Sequence, residues 1–363
     1  MLKVSKETIF RILALICLVV FAYYFSNIVM YVFLSYILAL ICKPLAVKLS
    51  TVKIYKWKIS YGLSSMLSIF IFLLVFAFSM LFFVPSLVAE IGMLGNINYD
   101  TLSSSLNVFL ANIQDFLYEN AIMDRDTTLV GLITDEIKNV VNLNSLSLLI
   151  GNVVSFTGSF FFGLFSVVFV TFFFLKDDIK LDSIARIFVS DEQVHRVTYV
   201  SNKVNNLLSR YFIGSLVRII IMIILLYIGF IIFGVKGALL QAFMGGVLNI
   251  IPYLGPVIGV VISSLFGIID CLSVEMYTEI MPITLKIIGV YVVANVVDNV
   301  VLQPMIFSQS VKAHPIEIFL VTIMGGDVAG MTGMILAIPV YTILRVAVIE
   351  IYKYVQESKK VVT

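Results

Sequence analysis

The sequence lacks the motifs that would announce an energy source or a hydrolytic centre. No GxxxxGK(S/T) loop is present, so the chain carries no phosphate cradle for its own ATP hydrolysis. No HExxH and no GxSxG occurs, which excludes a zinc protease of that type and an elbow nucleophile. Cysteine is scarce: Cys17, Cys42 and Cys271 stand alone, with no CxxC pair, so neither a disulfide framework nor a zinc site is written here. Charge is sparse as well. Only 13% of the 363 residues are Asp, Glu, Lys or Arg, and the net charge of +2 with no basic cluster excludes a nucleic-acid partner. No cofactor is expected, and nothing marks the chain as an enzyme.

What fills the space is apolar: 61% of residues are hydrophobic, and the mean hydropathy is +1.08. Soluble domains hold about half apolar and a quarter charged residues. The chain is therefore read as an all-α, polytopic helical membrane protein, with interrupted or re-entrant helices in its C-terminal half. Lys and Arg serve as topology markers.

Residues 1–84 form N-terminal membrane helices. The run Ile12 to Cys42 is too long for one crossing and has basic residues at both ends, so it predicts a helical hairpin turning at Ser26-Asn27. A span from Ser60 to Val84 follows, ending at Pro85. Residues 85–147 carry eight acidic residues against Arg125 and Lys138, as suits an extracytoplasmic region with amphipathic helices. Residues 148–175 return to the cytoplasm, and 176–210 read as interfacial amphipathic helices. Residues 211–352 form the core, with two interrupted segments at 238–269 and 316–351. Residues 353–363 are a cytoplasmic tail, so both termini are expected inside.

The first interrupted segment contains Asn249, Pro252, Tyr253, Gly255 and Pro256. Backbone broken at membrane depth must be covered by protein or line a water-filled cavity, and half-helix ends there can offer backbone groups to a solute. Charge patterning leaves open whether either segment is a re-entrant hairpin or a broken full crossing. Met-Gly-Gly occurs at Met244–Gly246 and again at Met324–Gly326, a trace of an internal repeat or of small-residue helix packing.

Asn295, Asp298, Asn299 and Gln303 recur at offsets that place them on one face of a helix ending at Pro304. Such a stripe can line a path or ligate a cation, because intramembrane carboxylates are costly and mark function. Arg218 is the expected charge partner of Asp298. Asp327, beside paired glycines, is a second candidate on the ion pathway, and His314 is a candidate pH-sensitive group.

Five stretches, Phe174–Asp177, Asn249–Gly259, Asp298-Asn299 with Gln303-Pro304, His314-Pro315 and Gly333–Pro339, together resemble the autoinducer-2 exporter family of bacterial membrane transporters. Ala313 stands where the family has Leu. The resemblance implies a multi-pass protein of the bacterial inner membrane. It also implies a homo-oligomer, with a pentamer as the expected form, and secondary transport. Either a small hydrophilic solute is exported, such as an autoinducer-2-like signal, or Na⁺(Li⁺) is exchanged for H⁺. A membrane scaffold acting through the acidic region is the non-transport alternative. The expected mechanism is alternating access, with both interrupted segments meeting the Asp298 stripe.

Overall fold

A computed structural model describes residues 24–54, 57–94, 143–177, 191–274, 276–307 and 314–362, together with 17, 20 and 21. The acidic stretch 95–142 and residues 178–190 of the charged stretch 176–210 lie outside the described residues. Described elements are α1 (Ser26–Thr51), a two-residue ladder β1 (Lys53–Ile54) and β2 (Trp57–Lys58), α2 (Tyr61–Leu94) and α3 (Leu143–Lys176). There follow α4 (Asp191–Ile232), α5 (Ala238–Leu248), α6 (Leu254–Ser273), α7 (Ile280–Val297), a π turn (Asp298–Leu302), α8 (Gln303–Phe307) and α9 (Pro315–Val362). The protein is a polytopic helical membrane protein. Among the described residues six helices are long and apolar enough to cross a bilayer.

Element limits differ from the sequence expectation in three places. α1 begins at Ser26, after a Phe25 with non-helical backbone, and runs on to Thr51 instead of ending at Cys42; most of the first limb of the expected hairpin lies outside the described residues. α2 continues through Pro85 to Leu94 instead of ending there. Proline removes one backbone donor, and within a membrane that loss is tolerated where neighbouring groups re-satisfy the backbone. α4 fuses the expected interfacial helix and the next span into one 42-residue helix, because no glycine or proline interrupts Asp191 to Ile213.

The chain divides into two compact units. The first comprises residues 1–78, 160–218 and 302–363. Its core joins Tyr36, Ile37 and Leu40 of α1, Leu208, Tyr211 and Phe212 of α4, and Ile338 and Val346 of α9. Polar side chains sew the helices together. Ser35 Oγ donates to the Val167 carbonyl at 3.0 Å, Thr171 Oγ1 donates to the Ser35 carbonyl at 3.2 Å, and Tyr36 donates to Asn205. Such interhelical bonds matter because lipid tails give no hydrophobic drive for helix association.

The second unit comprises residues 79–159 and 219–301. Met222, Leu226 and Phe230 recur every four residues along α4 and are fully buried, and the Phe230 ring packs against Tyr291 of α7. α5 and α6 form an antiparallel hairpin. A Cβ on Gly255 would overlap the Leu248 carbonyl across the turn, and Gly245 and Gly259, one on each limb, both abut the Tyr291 hydroxyl. α5 has 11 residues, about 16 Å, too short to cross a core of about 30 Å. The segment 238–269 is thus a helical hairpin whose first limb is too short to cross a bilayer by itself, while its second limb, α6, is one of the six helices long enough to do so.

The segment 316–351 is also a hairpin. α9 is broken by Ala329 (φ −142°) and Gly330 (φ 56°, ψ −141°), and its two limbs run antiparallel. Gly325 lies against the Gly333 carbonyl, and Glu317 on the first limb accepts a hydrogen bond from Tyr341 on the second. The break falls at neither Pro339 nor the Met-Gly-Gly. Only glycine takes the left-handed conformation of residue 330 without steric cost.

Candidate functional site

The turn of the first hairpin is built from Asn249 to Tyr253. α5 ends because Pro252 cannot donate to a continuing helix and disfavours helical geometry at Ile251. Its backbone donors are nevertheless used. The N–H groups of Asn249, Ile250, Ile251 and Gly255 donate to the carbonyls of Gly245, Val247, Leu248 and Ile251 at 2.9–3.2 Å, and Leu254 N–H donates to the Pro252 carbonyl at 2.7 Å. Tight local bonds thus satisfy these five donors at the break, as hydrocarbon surroundings demand.

Tyr253 has φ 64°, the one positive φ of a non-glycine residue among the described residues. A left-handed conformation costs a side-chain-bearing residue about 1–2 kcal/mol, and strain of this kind clusters at functional sites. Its side chain is 38% exposed, whereas Asn249 is 1% exposed. Pro252 and Pro256 are half-buried and Gly255 is buried.

α7 runs antiparallel to α6. Gly267 packs on Ile287 and Ile283, while Ser263 and Gly259 meet Tyr291. Four residues back along α6 answer four residues forward along α7. Continued, the same register puts Asn295 level with Gly259 and Asp298 level with Pro256. The hairpin turn and the intramembrane carboxylate thus occupy one layer of the second unit.

At Asp298 the helix widens into a π turn. This divides the single polar face expected from the sequence. Asp298 is 1% exposed, Asn295 and Gln303 are half-buried, and Asn299 and Pro304 are exposed. A π turn carries more residues per turn than an α-helix, so the angular spacing that would align these four fails there. π turns inside helices are frequent at functional sites.

Tyr291 organises the layer above. Its side chain is buried, its hydroxyl is 3.0 Å from Ser263 Oγ, and its ring lies 5.9 Å from that of Phe230. Neither Tyr291 nor Ser263 stood out in the sequence. An aromatic hydroxyl in the middle of an apolar span needs a buried partner, and that requirement was the available signal.

The other expected site residues lie in the first unit. Arg218, 3% exposed, follows Tyr211 and Ser215 along one buried face of α4; Tyr211 is hydrogen-bonded to Ser215 and within electrostatic reach of Arg218. Asp327 is exposed near the turn of the second hairpin, and His314 is exposed just before α9. At the open end of that hairpin Glu317 receives Tyr341 and lies 3.7 Å from Arg345. No cluster of three or more His, Cys, Asp or Glu able to hold a metal ion occurs among the described residues.

Comparison with known proteins supplies an independent view. A family model described as "AI-2E family transporter" matches residues 12–353. A Bacillus subtilis protein named "Putative transport protein YrrI" is 29% identical over 184 residues, covering 51% of this chain and 50% of that protein. YueF of the same organism, similarly named, is 25% identical over 313 residues, covering 84% and 80%. MJ1177 of Methanocaldococcus jannaschii, again so named, is 23% identical over 240 residues, covering 65% and 66%. The matched part is half the length of YrrI but four fifths of YueF.

Proposed function

The chain belongs to the AI-2E transporter family, and from that membership we propose that it is a secondary carrier exporting a small hydrophilic molecule, an autoinducer-2-like signal or a metabolite, by alternating access. The reading places it in the bacterial inner membrane with both termini cytoplasmic, as a homo-oligomer, by expectation a pentamer. One observation carries the site assignment: a buried carboxylate, Asp298, on a π turn level with the broken hairpin of its own unit. In this reading Asp298 carries the coupling ion or proton. Asn295, Asn299 and Gln303 supply polar contacts along the path, and Asn249 and Tyr253 face the solute at the turn.

Ionisable groups inside membrane segments mark ion and solute pathways, and a carboxylate there can carry a cation or proton during turnover. The same fact favours Na⁺(Li⁺)/H⁺ exchange as the second reading. Purified protein in liposomes separates the two. A metabolite panel under imposed ion gradients should give uptake or efflux that falls at least tenfold in Asp298→Asn, while sodium addition alone should move no protons. Sodium-driven proton flux without solute supports the antiporter. Native flux in Asp298→Asn under all gradients removes the assignment of Asp298.

A further inference from the structure

At the open end of the first hairpin, opposite its turn, stands a second group of oxygen ligands that the solute pathway does not use. Glu90, near the end of α2, is 6% exposed, and its Oε1 has no hydrogen-bond partner among the described residues. Gln241 on α5 is fully buried; its Nε2 donates to the Lys236 carbonyl at 3.0 Å, leaving Oε1 without a partner. The two side chains converge on Gly237, where a Cβ would lie 3.5 Å from Glu90 Oε2 and 3.8 Å from Gln241 Nε2. Asp270 on α6, 6% exposed, acts electrostatically on Glu90, and Lys236 acts on Asp270. A cleft of about 150 Å³ opens beside them, lined by Lys236, Asp270, Cys271, Glu279 and Lys286.

We propose that Glu90, Gln241 and Asp270 form a binding site for one monovalent metal cation of the sodium class. Buried polar atoms are almost always satisfied, and an orphaned acceptor points to a missing water or ion. Two buried acceptors with carboxylates on two different helices offer oxygen only, the donor set that hard cations take. Charge selects the valence. Among the described residues Glu90, Asp270 and Glu279 stand against Lys236 and Lys286, one negative charge in excess, so a single positive charge neutralises the group and a divalent ion over-neutralises it. The site ties the end of α2 to both limbs of the hairpin, so its occupancy stabilises the hairpin's base. It stands independently of Asp298 and of the solute carried.

Full-length protein in lipid nanodiscs, titrated with NaCl against choline chloride at constant ionic strength, tests the site by thermal unfolding. A saturable, sodium-specific rise in Tm is expected, with a half-saturating concentration raised more than about tenfold in Glu90→Gln, since losing a ligand costs at least what losing a ligand's orienting partner does. Asp270→Asn should shift it in the same direction, and serves alone if Glu90→Gln does not fold. Asp298→Asn should keep the response. Absence of a sodium-specific rise, or an unchanged rise in both Glu90→Gln and Asp270→Asn, overturns the proposal. A rise driven by pH alone and lost in Glu90→Gln makes the occupant a proton and overturns the metal assignment. A stronger response to CaCl₂ through Glu90 overturns the single-charge assignment.

Discussion

The two helical hairpins, one in each unit, place Met-Gly-Gly at the same point and close their turns in different ways. In both, the triplet ends three residues before the helix yields, at Asn249 in the first and Ala329 in the second. The second hairpin closes on its own backbone: Gly325 and Gly333 bring the limbs into direct contact, and Gly330 supplies the left-handed turn. The first hairpin has Tyr291 of α7 against the glycines of both limbs and a tyrosine, not a glycine, in the left-handed position of its turn. The second is thus self-sufficient at its turn, while the first depends on a third helix, α7, and holds a left-handed tyrosine at its turn.

The largest expected effect breaks the backbone closure. Gly333→Val would drive a side chain into the Gly325 carbonyl and should cost about 3 kcal/mol or more of stability, the upper range of overpacking, read as a fall in Tm in detergent. Because the obstacle is backbone, no side-chain substitution nearby should rescue it. Gly245→Ala should cost about 1–3 kcal/mol and should be partly rescued by Tyr291→Phe, since the Tyr291 hydroxyl is the nearest obstacle there. Equal rescue in both hairpins, or in neither, would erase the distinction drawn between them.

Smaller effects sharpen the comparison. Tyr291→Phe alone should cost about 1 kcal/mol by leaving Ser263 Oγ without its partner, with a larger relative loss in flux than in Tm. Replacing the left-handed residue should have opposite signs in the two turns. Gly330→Ala should destabilise by about 1 kcal/mol, whereas Tyr253→Gly should leave stability unchanged or raise it by about 0.5 kcal/mol, relief of strain being offset by glycine's chain entropy. Denaturation midpoints of the pair decide it. Smallest of all, Lys203→Met should change stability by less than about 1 kcal/mol, because its 2.7 Å pair with Glu350 is partly exposed.

Much of this architecture was legible in the sequence because glycine and proline act locally. The Asn249–Pro256 break follows from residues adjacent in the chain, and the wealth of apolar residues fixed the membrane class. The position of the second break was less legible, since four glycines and Pro339 compete for it and only the contact between Gly325 and Gly333 selects residues 329–330. The polar stripe was half legible: a helix carrying Asn295 and Asp298 is present, but the π turn that leaves Asp298 buried and Asn299 exposed has no local sequence signal. Glu90, Gln241 and Tyr291 escaped because each acquires its meaning from residues distant in sequence. Glu90 was also read as part of an acidic outer region, whereas α2 continues past Pro85 and carries it into a buried position.

The account's central claim is that the turn of the first hairpin faces the solute path and not lipid. Thiol labelling of Tyr253→Cys, in a background with Cys17, Cys42 and Cys271 replaced by alanine, tests it directly in native membranes. The account predicts rapid reaction with a charged, water-soluble methanethiosulfonate reagent, slowed by the transported solute or coupling ion and altered in rate by Asp298→Asn. Labelling by a lipid-soluble maleimide alone, indifferent to solute and to residue 298, would contradict it.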